Sequence, residues 1–163
     1  MKDMFVNIFY LDEDIQKNVE SYCNTHTISQ MKELVQILGT ALDIHGYPSP
    51  VAPTHHNHPC VVYVSKSIDN FKYVHALGKA LAKEYTYRYN KEHAYEKYLN
   101  DMIFPKLRKI EFTEPPQVVS EEFKGDDVIV AYRKYYVHDK LSQKGWRWEY
   151  KNRKEPEWIK DYR

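Results

Sequence analysis

The most regular feature of the chain is an apolar stripe, Ile28, Met31, Leu34, Val35, Leu38, Ala41 and Leu42, recurring at intervals of three and four. That spacing puts every member on one face of an α-helix. Thr27 followed by Gln30 reads as a capping box at its start. A second stripe, Ile68, Phe71, Val74, Leu77, Leu81 and Tyr85, predicts another long helix. Shorter helices are expected from a cap at Asp12 to about Tyr22, from Glu92 to Met102, and after Asp126 and Asp127. The last carries Val128, Ala131, Tyr132, Tyr135 and Tyr136. Met4 to Leu11 is apolar and β-prone, and its length fits a short strand or a buried lead-in equally well.

The breaks in the pattern are as informative as the stripes. Gly46 to Pro53 is a proline-rich loop that ends the first long helix, and it delivers the run Thr54-His55-His56-Asn57-His58-Pro59-Cys60. Proline suits the first turn of a helix, so Pro59 places His58 at a helix start. Phe104 to Val119 holds three prolines and reads as a long surface-crossing loop. The expectation is an all-α, single-domain chain over residues 1–163, with six or seven helices and room for one short N-terminal strand.

Composition narrows the function classes. Five glycines and fifteen tyrosines among 163 residues favour helices joined by short loops. A net charge of +1 carries no global basic signal, so a nucleic-acid surface has to come from local clustering. Two cysteines and no secretory pattern fit a reducing compartment. No apolar run is long enough to span a membrane. The expectation is a soluble, cytoplasmic protein with no membrane association.

Three constellations bear chemistry. Cys23-x-x-His26 with His58-x-Cys60 offers the ligand types of a structural zinc site, although the second spacing is one residue short of the usual range. Buried, hydrogen-bonded thiols and imidazoles account for the same four residues, and neither metal nor cofactor is expected. Between Tyr132 and Lys154 lie Arg133, Lys134, Lys140, Lys144, Arg147, Lys151, Arg153 and Lys154, opposed only by Asp139 and Glu149. Tyr132, Tyr135, Tyr136, Trp146, Trp148 and Tyr150 interleave them, as in surfaces that neutralise phosphates and stack bases. A charged face over an aromatic core gives the same pattern. The third constellation is acid–base. Glu33 lies at the edge of its stripe, Glu84 and Arg88 are four apart, and His93 follows. With His26, His55 and His58 in the same core they would line one polar pocket, of the kind that tunes catalytic groups.

The skeleton Cys23-x-x-His26, Glu33-x-x-Gln36, Thr54-x-x-Asn57-His58-Pro59-Cys60, Glu84-Tyr85-Thr86-Tyr87-Arg88-Tyr89 and Tyr132-Arg133-x-Tyr135-Tyr136 resembles a group of small proteins common in tailed-phage genomes. That likeness implies no activity, and it implies the cytoplasm of an infected bacterium as location. Lys32-Glu33, Asn57-His58-Pro59 and Arg88-Tyr89 also resemble, more faintly, parts of the pyrimidine-dimer DNA glycosylases, small all-α enzymes. By that likeness Glu33 is the catalytic carboxylate and the basic aromatic tail grips DNA. The best-known members attack with a free α-amine, whereas Lys2 after Met1 would keep the methionine in place. The resemblance therefore implies a glycosylase that activates water.

These readings converge on an enzyme acting on a nucleobase, with Glu33, His58 and His55 catalytic. His26, Asn57, Glu84, Arg88, Tyr89, His93, Tyr132 and Arg133 would bind substrate, with Arg88 and His58 holding phosphate. Lys134, Lys144, Arg147, Trp148, Arg153 and Lys154 would bind DNA or a nucleotide. The alternative is a non-catalytic accessory protein that binds a host protein or a nucleotide signal, or a zinc-stabilised helical module.

Overall fold

A computed structural model describes residues 7–143, Gly145 and residues 148–163. The described residues form six α-helices: α1 (Ile15–Glu20), α2 (Asn24–Ile44), α3 (Pro59–Ser65), α4 (Ile68–Tyr89), α5 (Glu96–Asn100) and α6 (Val128–Tyr135). A π-helical turn, Tyr136–Lys140, continues α6, and short 3₁₀ turns occupy Glu121–Phe123 and Glu157–Asp161. The all-α expectation holds. Among the described residues no helix is long and apolar enough to cross a membrane.

The two predicted stripes form the centre. Met31, Leu34, Val35 and Leu38 of α2 are buried with Phe71, Val74, Leu77 and Leu81 of α4, and α1, α3 and α5 all pack on this pair. Capping is local chemistry, and most of it was readable. His58 caps α3 with Pro59 in its first turn, Ser67 caps α4 and Asp127 caps α6. Two caps moved. Asp14, not Asp12, accepts from Lys17 N–H and starts α1, because Asp12 is used on the Asp14 N–H. Helix α2 begins a turn before the predicted capping box, after Cys23, and the Thr27 hydroxyl donates back to the Cys23 carbonyl at 3.1 Å.

The N-terminal apolar segment is no strand over its described part. Ile8, Phe9, Tyr10 and Leu11 run irregularly through the core, each at most 4% exposed. Its backbone still needs partners. The buried Asn18 amide supplies two of them, donating to Phe9 O at 2.9 Å and accepting from Leu11 N–H at 2.8 Å. Tyr22 Oη adds a bond to Phe9 O at 3.0 Å. One asparagine does what a neighbouring strand would have done.

The long loop after α5 is a strap tied down by side chains. The Asn70 amide clasps Thr113 in both directions, at 2.9 and 3.0 Å. Tyr63 Oη donates to Thr113 O, and Tyr132 Oη to Pro116 O. The proline-rich loop after α2 is held as closely. A Cβ on Gly39 would lie 2.5 Å from Ser49 Oγ, which itself donates to Val51 O. Gly39→Ala therefore has to displace the Ser49 hydroxyl from its bond to Val51 O, and the expected cost is about 1 kcal/mol. A urea midpoint equal to that of the parent chain would show that the loop yields freely.

Candidate functional site

The loop from Gly46 to Asn57 is anchored at its far end by one residue of α2. Thr40 Oγ1 donates to Thr54 O and accepts from Thr54 N–H, both at 3.1 Å. This fixes the backbone immediately before the histidines. His55 then adopts φ +55°, a left-handed conformation that costs a non-glycine residue roughly 1–2 kcal/mol. Such strain persists only where its surroundings impose it, and it concentrates at functional positions. The Thr54 hydroxyl lies 2.9 Å from His55 Nδ1.

His58 is set by the helix it caps. Its Nδ1 accepts from Cys60 N–H at 3.0 Å, so the neutral ring carries its proton on Nε2. Burial lowers its pKa, and the nearby His55 lowers it further. His58 is thus a neutral hydrogen-bond donor.

Glu33, on the adjoining face of α2, completes the group. Its Oε2 is buried without a hydrogen-bond partner among the described residues. Desolvation pushes its carboxyl upward in pKa, while Lys32 and His55 oppose the shift. His55 is therefore close enough to act on Glu33 electrostatically. One turn further along α2, Gln36 and Ile37 join Thr54, His55, His58 and Val61 around a crevice of about 10 Å³, the space of a single water. His55 and His58 thus share one crevice, Glu33 lies within electrostatic reach of His55, and Asn57 of the same loop is exposed.

The other expected pocket residues lie elsewhere. Arg88, 1% exposed, donates from Nε to Glu84 Oε2 at 2.7 Å and from its terminal nitrogen to Glu20 O at 3.2 Å. Arg153 binds both Glu84 oxygens at 3.0 Å. This is an internal ion cluster that ties the C-terminal segment to α4, so Glu84 and Arg88 cannot reach a phosphate. His26 is buried, with Nδ1 2.6 Å from Tyr136 Oη. His93 is held between Ile28 O, at 2.9 Å, and Tyr95 N–H, at 3.0 Å. The Tyr89 ring lies tilted at 37° to Tyr85, with its hydroxyl buried and without a hydrogen-bond partner among the described residues.

The aromatic tail is corrected in the same way. Tyr132, Tyr135 and Tyr136 are core residues. Trp148 is partly buried, packed against the core with its ring 5.8 Å from His26 in an edge-on contact. Arg133 donates to Leu11 O at 2.8 Å and sits over the Trp158 ring. Arg153 is engaged as above, whereas Lys134 and Lys154 are exposed. Lys144, Trp146 and Arg147 lie outside the described residues. Of the expected basic, aromatic surface, the described residues leave Lys134 and Lys154 exposed and engage Arg133 and Arg153 within the fold.

The four candidate zinc ligands do not converge. Cys23 Sγ is 3.5 Å from His26 Nδ1 and 3.3 Å from Tyr136 Oη, whereas His58 caps α3 and Cys60 is buried with its thiol pushed up to about 12 by burial. Among the described residues no group of three or more His, Cys, Asp or Glu is arranged to hold a metal. Comparison with protein-family models, with curated proteins and with solved structures found no match. What the fold and the cleft define is a helical domain with a strained histidine loop facing a destabilised carboxyl.

Proposed function

We propose that the chain is a hydrolytic enzyme of the base–sugar bond, DNA N-glycosylase-like, with Glu33 as its acid–base group. The observation that carries this reading is the buried Glu33 Oε2, without a hydrogen-bond partner among the described residues and with His55 near enough to act on its charge. A carboxyl raised toward neutrality can take a proton from water and return it. In the reaction, water oxygen attacks the anomeric carbon, the carbon–nitrogen bond breaks, and the base leaves with the electron pair. Glu33 accepts the water proton and passes it to the departing base. His58, neutral with Nε2–H free to donate, polarises or orients the base, and His55 biases Glu33. A base in a duplex has to be flipped to reach such a group.

Glu33→Gln supplies the test. Incubation with duplexes carrying a broad panel of damaged or modified bases, followed by abasic-site detection, should show a loss of about 10²-fold or more. The same change should leave the fold as stable or more stable at neutral pH. A carboxyl whose folded pKa is raised stabilises the fold below its unfolded pKa and loses that contribution as pH rises through the folded one. Removing it at pH 7 therefore removes a burden. Equal activity in both proteins, or none in either across the panel, overturns the reading.

A specific observation favours the rival, a non-catalytic protein that docks a host protein. Ile103, Phe104 and Phe112 of the strap are 70%, 37% and 42% exposed. Salt separates the two: phosphate-driven binding weakens steeply with ionic strength, and an apolar contact does not.

A further inference from the structure

A cavity of about 690 Å³ lies between the strap and the end of α6. We propose that it is a binding site for a nucleoside monophosphate. The volume falls within the roughly 300–1,000 Å³ of small-molecule sites. Its walls are flat and apolar, formed by Pro59 and Val118 and Val119 of the strap on one side and Tyr135 on the other. Its polar lining residues are Gln117, Ser120, Lys124, Asp139 and Lys140. A planar heteroaromatic ring fits between apolar walls, a carboxylate accepts from a ring amine, and paired lysines take a phosphate.

Two features show that the cavity is held open. The strap is pinned from behind, because Val118 N–H donates to Tyr132 Oη at 3.2 Å and Asn7 donates to Val118 O. The Gln117 amide is locked onto Gly125 by bonds of 2.7 and 3.1 Å. The backbone of the strap is thereby satisfied without closing on the cavity. On the facing side the chain leaves α6 through the π-helical turn, where Leu141 N–H donates to Tyr136 O at 2.8 Å. The additional residue in such a turn rotates the side chains that follow, and π turns recur at functional sites. Here it brings Asp139 and Lys140 to the cavity. Lys140 Nζ rests 5.3 Å from the Tyr135 ring centroid, and Lys124 Nζ is 2.6 Å from Glu121 Oε2 in a solvent-exposed pair, so an anion has only weak contacts to displace.

The proposal does not rest on Glu33 chemistry. Titration calorimetry of the full chain with each common nucleoside monophosphate tests it, with the free nucleoside and inorganic phosphate as controls. At least one monophosphate should bind, and Lys140→Ala should weaken it about 10- to 100-fold, the loss of a charged hydrogen bond. Val119→Trp, which fills the ring slot without touching a charge, should abolish binding while circular dichroism stays unchanged. Glu33→Gln should bind as the parent does. Absence of binding by every monophosphate at millimolar concentration overturns the site. So does equal affinity for inorganic phosphate alone, or an affinity indifferent to both substitutions.

Discussion

Arg88→Ala is expected to cost the fold about 3–5 kcal/mol, the usual penalty for stranding one member of a buried ion pair. Both side chains of the Glu84–Arg88 pair are at most 1% exposed, and their contact is 2.7 Å. Removing the guanidinium leaves a buried carboxylate with Arg153 as its one cationic partner. Arg153 approaches from the surface with its side chain 26% exposed, so Arg153→Ala should cost far less, about 1 kcal/mol. The urea midpoint should fall for Arg88→Ala with little change in slope, since the surface exposed on unfolding is nearly the same. Replacing both partners with apolar residues, Glu84→Leu with Arg88→Met, should recover most of the loss, because no charge is then left in the interior. If Arg88→Ala changes stability by less than about 1 kcal/mol, the cluster is wet and relaxed in solution.

That pair also marks where the sequence could and could not be read. Spacing predicted that Glu84 and Arg88 share a helix face. It did not predict that the face is interior, because the third partner, Arg153, is 69 residues away. His26 and Tyr136 pose the same problem across 110 residues. Stripes on α2 and α4, the cap at His58 and the cap at Asp127 were legible because each depends on neighbours within a turn or two. The approach of His55 to α2 was legible for a related reason: a proline-rich loop returns the chain to the helix it has just left. Asn18 replacing a strand partner left no local trace. Nor did the π turn, which contains neither glycine nor proline to announce it. The tail misled for a physical reason. Tyrosine and tryptophan have an apolar body and a polar tip, and composition cannot say which end the fold uses. Tyr136 and Tyr150 are turned inward, their hydroxyls spent on Cys23 N–H and Ser21 O.

Acidification should unfold this protein early, and His26 should be a principal cause. Burial, with a smaller push from Lys140, depresses its pKa from 6.5 to about 3. The phenol proton of Tyr136 has one strong acceptor in reach, His26 Nδ1 at 2.6 Å, which holds the imidazole neutral with its proton on Nε2. Phe9 and Trp148 enclose the ring, so a charge there would lack hydration. Between pH 6.5 and 3 the unfolded chain binds a proton that the folded chain refuses. Stability is then complete above the unfolded pKa and drains away as pH falls toward the folded one. At about 1.4 kcal/mol per pH unit, the contribution lost by pH 4.5 is about 2–3 kcal/mol. His58 and His75, also depressed by burial, act in the same direction, while Glu33, with its raised pKa, acts in the opposite one. The comparison that isolates His26 is therefore with His26→Gln, whose amide oxygen can accept from Tyr136 and does not titrate. Urea unfolding from pH 7 to 4.5 should show the parent losing about 2–3 kcal/mol more than the variant. Parallel profiles would mean that His26 is hydrated or protonated in the folded protein, and that the packing of Phe9, Tyr136 and Trp148 around it opens in solution.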